Sequence, residues 1–342
     1  MNVLVTGGLG FIGSHFVQFQ RQHHPGDSVV VLDAMTYCCD PACLDSLRGD
    51  SGLDVVRGDI RNHDLLRQLF HDRPIDAICN FAAETHVDRS IKNGLSFVST
   101  NVGGTATLLE VARAYKTKKF VQISTDEVYG ALGPDDPPFT EETQLCPRSP
   151  YSASKAGADF VTLSYYHTHG MNVTVTRCSN NFGPRQFPEK FIPLVITRAL
   201  QNKSVPIYGD GMQVRDWLHV SDHCRGVDAA MRTGRAGQVY NLGSRNEFRN
   251  ADMARYILEK LERPLSLLQF VKDRPGHDRR YAVDFTKAQR ELGWCPRVSL
   301  ADGLEDTLAF YRDNPNYGEK RQTEAQCIFT PDLPLPVTFQ AQ

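Results

Sequence analysis

The sequence predicts an α/β fold, a doubly wound parallel sheet of the Rossmann type with a smaller α/β lobe toward the C-terminus. Three observations predict it. Short runs rich in Val and Ile alternate with helical periodicity through the first half of the chain. Those runs lack a polar/apolar alternation, as strands covered on both faces do. A glycine-rich turn follows the first run and opens the first helical one.

Taken in order, residues 2–6, 28–32, 53–57, 76–80, 119–124 and 172–177 read as strands, and residues 11–23, 62–72, 95–116 and 151–169 read as the helices between them. A βαβ series at this spacing winds a parallel sheet whose ligand sits at the carboxyl ends of the strands. The second half is less regular, with Gly, Pro and Asn punctuating 178–190 and 204–213 and helices expected near 190–201, 221–233, 250–262 and 300–312. The organisation expected is a dinucleotide lobe over 1–178, with 212–242 returning to it. A second lobe follows over 179–320, and an extended tail over 321–342 contains TPDLPLP.

Composition narrows the class. The 342 residues suit one large domain or two coupled lobes, and the 41% hydrophobic and 23% charged content is ordinary for a globular chain. Lys plus Arg is 38 and Asp plus Glu is 40, a net charge of −2, so no broad basic field offers itself to nucleic acid or an anionic membrane. No apolar run is long enough to span a bilayer, and Met1 leads straight into a strand without a signal-peptide pattern, so a cytoplasmic protein is expected. Nine scattered cysteines do not form a disulfide framework. Cys38, Cys39 and Cys43 cluster, but no further ligand pair sits at zinc spacing, and no metal site is expected.

Gly7, Gly10 and Gly13 give G-x-x-G-x-x-G between the first strand and the first helix. Glycines there allow the turn and the close approach of a pyrophosphate, and the helix N-terminus adds unpaired N–H groups. Asp33 ends the second strand about twenty residues on, where a carboxylate accepts from ribose hydroxyls and repels a 2′-phosphate, which favours NAD over NADP. Asp59 ends the third strand, where an adenine edge could lie.

Tyr151 and Lys155 form Y-x-x-x-K, which places phenol and ammonium on one helix face. A lysine one turn away is expected to lower the phenol's pKa and make it a usable base. With the glycine motif, and with Ser124-Thr125 ending the fifth strand, the combination resembles the extended short-chain dehydrogenase/reductase family over nearly the whole chain. The string STDEVYG (124–130) resembles the signature of the family's nucleotide-sugar 4,6-dehydratases. The stretches AAETHVDRS (82–90), TNVGGT (100–105), SNNFGPRQFPEKFIP (179–193), IYGDGMQVRDWLHV (207–220) and DRPGHDRRYAVD (273–284) agree with it.

The resemblance implies roles. Tyr151 takes the C4 hydroxyl proton of an NDP-glucose while hydride passes to NAD. Lys155 holds the phenolate and the nicotinamide ribose, and Thr125 bonds the C4 oxygen. Glu127 removes the C5 proton and Asp126 protonates the departing C6 hydroxyl. The two carboxyls must then titrate apart. On a regular strand they would point to opposite faces, so the chain must leave strand geometry right after Thr125. Further cofactor contacts are implied for Phe11, Ile12, Ala34, Met35, Thr36, Ile60, Phe81, Ala82, Ala83, Thr85, Thr100 and Asn181. Substrate contacts are implied for Thr85, Asn180, Lys190, Phe191, Pro206, Ile207, Tyr208, Arg215, Asn250, Asp273, Arg274 and His277, with Arg215 and Arg274 on the diphosphate.

Thr85 and Phe182 replace residues of similar kind, whereas AMTYCCDPACLDSL (34–47) replaces a cation-bearing, glycine-containing turn, where cofactor affinity could change. The Pro-rich loop before Tyr151 could affect closure over the substrate. The substrate expected is dTDP-glucose ahead of UDP-glucose or another NDP-hexose. A 4-epimerase or decarboxylase is disfavoured by the Asp126-Glu127 pair, and a non-catalytic NAD sensor by the retained Tyr and Lys. The family also implies a homodimer formed by helices 95–116 and 151–169.

Overall fold

The structure, a computed structural model, describes residues 1–317; the expected tail over 321–342 lies outside them. The first six strands are β1 (Asn2–Thr6), β2 (Ser28–Asp33), β3 (Leu53–Arg57), β4 (Ala77–Asn80), β5 (Lys119–Thr125) and β6 (Val173–Cys178). Three strands follow in the second lobe, β7 (Asn180–Phe182), β8 (Val205–Tyr208) and β9 (Val214–His219). The chain then returns to the first lobe with β10 (Gln238–Leu242) and leaves again through β11 (Glu247–Arg249) and β12 (Leu268–Val271).

The large sheet has seven parallel strands in the order β10-β6-β5-β4-β1-β2-β3. Its strand order reverses beside β1, and a ligand crevice is expected there. The missing alternation in the sequence has a direct cause. Val3, Val5, Val29 and Val31 pack into a core on one face, while Leu4, Val30 and Leu32 pack into another on the opposite face. Successive side chains point to opposite faces, so both sets must be apolar.

The helices in order are α1 (Phe11–His23), α2 (His63–Asp72), α3 (Val87–Lys92), α4 (Gly94–Phe97), α5 (Thr105–Ala114), α6 (Pro150–His169), α7 (Phe191–Leu200), α8 (Val220–Thr233), α9 (Asn250–Lys260), α10 (Thr286–Leu292) and α11 (Leu300–Asp313). The helix expected over 95–116 is continuous in direction but not in winding. Residues Val98–Gly104 form wider π-type turns between α4 and α5. Such segments recur at functional sites. Here Asn101 turns inward, accepts from the Glu84 amide (2.8 Å) and donates to Ser154 Oγ (2.8 Å), fixing the loop after β4 against α6.

The second lobe is built on a three-stranded sheet, β11-β9-β7, and a β12-β8 pair, both covered by α7, α9 and α11 around a core that includes Trp217, Met253, Leu304 and Tyr311. Most of these strands have three or four residues, too short to carry a readable period.

Candidate active site

The glycine turn is held by geometry that only glycine fits. Gly7 has φ +66° and donates to Leu32 O, and a Cβ on it would lie 2.8 Å from the Ala82 amide nitrogen. A Cβ on Gly13 would lie 2.2 Å from Gly7 O. Gly10 precedes α1 without a side-chain cap, so the first-turn N–H groups stay available to an anion. Asp33 steadies the rim: Oδ2 accepts from the Leu9 amide (2.9 Å) and Oδ1 from the Met35 amide (2.8 Å). Burial raises its pKa and those two N–H groups oppose the rise. Each oxygen keeps lone-pair capacity for a diol.

One cleft runs from this turn across the carboxyl ends of the strands. It is lined by Gly7, Gly10, Phe11, Ile12, Gly13, Asp33, Ala34, Thr36, Asp59, Ile60, Phe81, Ala82, Ala83, Thr85, Thr100 and Asn181, and further along by Thr125, Asp126, Glu127, Tyr151, Lys155, Asn180 and Lys190. Of the expected cofactor residues only Met35 is not among them. Its side chain packs against the core of the first lobe, and its contribution is the amide on Asp33.

The residues expected to react come from β5, the turn after it and α6. Thr125 ends β5, and residues Asp126–Tyr129 coil immediately into one tight helical turn. Thr125 Oγ1 starts that turn: it accepts from the Glu127 amide (3.2 Å) and donates to Asp126 Oδ1 (3.2 Å). The turn breaks the strand's up-down alternation, and both carboxyls reach the same cleft. Asp126 is 1% exposed and its Oδ2 accepts no hydrogen bond from the described residues. Burial, then the charges of Glu127 and Asp216, push its carboxyl well above the usual range. Burial also raises Glu127, but Arg274, Lys190 and Arg215 pull it back toward the ionised form.

Helix α6 begins with Ser149 as cap. Its hydroxyl accepts from the Ser152 amide and its amide donates to Ser152 Oγ, both at 3.0 Å, and Pro150 takes the first helical position. This box sets Tyr151 in the first turn with Lys155 one turn on. The expected lowering of the phenol's pKa by Lys155 is not the dominant effect. Burial, followed by Glu127, Cys178 and Asp126, pushes Tyr151 well above its ordinary value. Lys155 Nζ donates to Ile123 O (2.6 Å), and burial lowers its own pKa.

The expected substrate residues fall into two groups. Thr85, Thr125, Asn180 and Lys190 line the cleft, and Lys190 Nζ donates to Thr85 O (2.7 Å) across the gap between the lobes. The others lie on the second lobe, and two of them, Arg274 and Arg215, are near enough to act on the charge of Glu127. Arg215 is buried, donates to Asp278 O (2.9 Å) and lies over the Tyr281 ring (4.3 Å). Arg274 faces Asp88 at 3.8 Å, and Asp273 holds both the Arg274 amide (2.9 Å) and His277 Nδ1 (2.7 Å). Tyr208 donates to Asp88 (3.1 Å), and Phe191 stacks on Trp217. Ile207 is 1% exposed in the second-lobe core, on the same strand as Pro206. Asn250 opens α9, its amide donating to Gln213 O.

Several cleft residues escaped sequence reasoning. Arg61 chelates Asp59 (2.6 Å between Nη2 and Oδ2) two residues away. Glu84 lines the wall, its pKa raised by burial. Glu189 accepts from the Tyr37 hydroxyl (2.8 Å) and faces His86 (3.7 Å) and Arg89 (3.8 Å), while the Arg89 guanidinium lies 3.6 Å over the Tyr37 ring. The strings that carry the resemblance contain Glu84, His86, Arg89 and Glu189, and Tyr37 lies in the atypical loop string, but nothing in their spacing marks them. Cys38 and Cys39, in the atypical loop, also line the cleft, and burial pushes the Cys38 thiol up to about 12. It is held as an inert thiol rather than a reactive one.

A Rossmann sheet, a glycine turn with an acidic rim and a Tyr-x-x-x-Lys helix beside the end of β5 define an extended short-chain dehydrogenase/reductase. Residues 4–307 match the family profile of GDP-mannose 4,6 dehydratase, and the chain belongs to that family. It is 48% identical to a dTDP-glucose 4,6-dehydratase of Actinoplanes sp., over 93% of this chain and 99% of the relative. The structure of a dTDP-glucose 4,6-dehydratase from Streptomyces venezuelae, solved with NAD bound, superposes with a TM-score of 0.91 at 47% identity, covering 94% of this chain and 100% of that one. A UDP-glucose 4-epimerase from Thermotoga maritima shares the fold at 29% identity and a TM-score of 0.85, covering 92% and 99%.

Proposed function

We propose that the chain is a dTDP-glucose 4,6-dehydratase, converting dTDP-glucose to dTDP-4-keto-6-deoxyglucose and water. One observation carries the reading: Asp126 and Glu127 open into the same cleft as Thr125, Tyr151 and Lys155. An oxidoreductase that only oxidises or epimerises C4 needs the last three alone.

The residues present fit NAD. The Gly7–Gly13 cradle leaves no room for a Cβ at Gly7 or Gly13, and Asp33 offers acceptors where a 2′-phosphate would be repelled. Gly10, Phe11 and Ile12 would take the pyrophosphate, Asp33 the ribose, Asp59 and Ile60 the adenine, and Lys155 the nicotinamide ribose. When bound, NAD supplies a positively charged ring that accepts hydride from sugar C4 and returns it to C6.

The chain's own groups do the rest. Tyr151 removes the C4 hydroxyl proton, which in so buried a place requires a positive charge beside it. Thr125 turns its single O–H from Asp126 to the C4 oxygen. The resulting ketone acidifies the C5 proton, and Glu127, kept toward its ionised form by Arg274, Lys190 and Arg215, accepts it. Asp126, kept protonated by burial, gives its proton to the C6 hydroxyl, which leaves as water. Glu127 returns its proton to C5, and Asp126 and Tyr151 restore their starting states by exchange with solvent. Arg215 and Arg274 hold the diphosphate.

A homodimer belongs to the same reading. Leu95, Val98 and Phe160, from α4, the wide turns and α6, are 82%, 50% and 61% exposed, which supports a helical interface there. No helix of the described residues is long and apolar enough to cross a membrane.

The test is to incubate purified protein with dTDP-glucose and, separately, UDP-glucose. A product lighter by one water from dTDP-glucose is expected. A product lighter by one water only from UDP-glucose moves the base preference, and a C4-epimerised sugar without water loss overturns the dehydratase reading.

A further inference from the structure

The catalytic scheme leaves the buried pair of Asp159 and Arg177 unused. Tyr151, Lys155 and Asp159 stand at i, i+4 and i+8 on α6, one face of the helix, and all three are buried. Asp159, one turn behind Lys155, is 0% exposed, and its Oδ2 accepts from Arg177 Nε (2.9 Å) on β6, itself 4% exposed. Arg177 Nη1 donates to the Tyr129 hydroxyl (3.0 Å), which donates in turn to Asn241 Oδ1 (2.8 Å) on β10. Tyr129 is the last residue of the turn that carries Asp126 and Glu127.

A buried ion pair is poor evidence for stability, because apolar side chains of similar volume hold a core at least as well. Apolar side chains could not hold the Tyr129 hydroxyl. We propose that Asp159 and Arg177 are positioning residues that hold the Asp126–Glu127 turn in register with the Tyr151–Lys155 helix, acting through the Tyr129 hydroxyl. The inference rests on the dehydratase reading. It assigns the register between the oxidising pair and the eliminating pair to a buried chain of hydrogen bonds that touches neither substrate nor cofactor. The ring of Tyr129 is fixed separately, stacked on Phe139 at 4.9 Å, so losing the hydroxyl releases the link without emptying the core.

The deciding variant is Tyr129→Phe. Oxidation at C4 needs only the α6 groups and Thr125 and should persist, while elimination slows. During turnover of dTDP-glucose the NADH absorbance of the enzyme should rise above that of the wild type. The kcat should fall about tenfold, in keeping with small misplacements of reacting groups, and KM should stay within about twofold. Asp159→Asn should show the same NADH signature, and the double variant should lose no more than the worse single one, since both act through one link. An active wild type with unchanged kcat and NADH level in Tyr129→Phe overturns the proposal, as does full additivity in the double variant. If Asp159→Asn does not fold, Tyr129→Phe alone decides. A wild type that releases no water from dTDP-glucose overturns the dehydratase reading itself, a different failure.

Discussion

Two adjacent carboxyls proposed for opposed duties make the most specific demand at the scale of single residues. Their identity was legible in the sequence and their convergence was not. Neighbours on a strand diverge, and only the turn at Asp126–Tyr129 brings both into one cleft. Their electrostatic split was equally hidden, because it comes from Arg215, Arg274 and Lys190, which are remote in sequence. The split fixes a pH profile. Falling pH protonates Glu127 and rising pH ionises Asp126, so kcat for elimination should be bell-shaped, with its limbs belonging to the pair. Glu127→Gln should abolish exchange of C5 hydrogen with deuterated solvent while NADH still forms on mixing with substrate. Asp126→Asn should retain that exchange and slow water loss, most of all with a poor leaving group at C6. Full turnover in both variants would remove the roles given to them. The lysine effect on Tyr151 is outweighed by burial, since spacing along a helix says nothing about how deeply the phenol is buried.

Elements with a strong period were legible, and those whose function depends on breaking a period were not. Strands β1 to β6 and the long helices appear within a residue or two of their expected bounds, because two-faced burial and a 3.6-residue repeat leave plain traces. The wide turns at Val98–Gly104 leave none, since the same residues read as ordinary helix. The strands of the second lobe are too short, and their pairing is decided by partners far away in the chain. Two predictions belong at this scale. Gly13→Ala places a methyl 2.2 Å from Gly7 O. It should therefore weaken NAD binding by at least about tenfold, through displacement of the helix start from the turn, as read by titration of protein fluorescence. Unchanged affinity would mean that the cradle does not hold the pyrophosphate. Ser149→Ala removes the cap that sets Tyr151 and should cost about 1 kcal/mol of stability in denaturant unfolding. Restoration by Ser149→Thr is expected, and a cost shared equally by Ser149→Thr would assign the loss to packing instead.

Across the whole molecule, a net charge of −2 describes a sum that no site sees. Lys190 lines the cleft with the two acids, while Arg215 and Arg274 act on the charge of Glu127 from the second lobe. Burial sorts the remaining titratable groups in the same way. His223 is 0% exposed, its Nδ1 lies 2.9 Å from Asn181 Oδ1, and burial lowers its pKa from 6.5 to about 3. The unfolded chain takes up that proton first, so the contribution to stability is whole above 6.5 and declines as pH falls toward 3. The slope is about 1.4 kcal/mol per pH unit. His223→Gln should remove that share of the acid sensitivity in unfolding titrations, and an unaltered slope would place the sensitivity elsewhere. The apolar surface is sorted too. Leu95 and Phe160 stand exposed on the helices that carry Thr100 to the cofactor side and Tyr151 to the substrate, so a second copy seated there would stiffen the elements that aim the site. Sedimentation of the wild type should report a dimer. Leu95→Asp with Phe160→Glu should report a monomer of unchanged circular dichroism and lowered kcat. A double variant that stays dimeric would move the interface to another face, and a fully active monomer would show that each cleft is complete on its own.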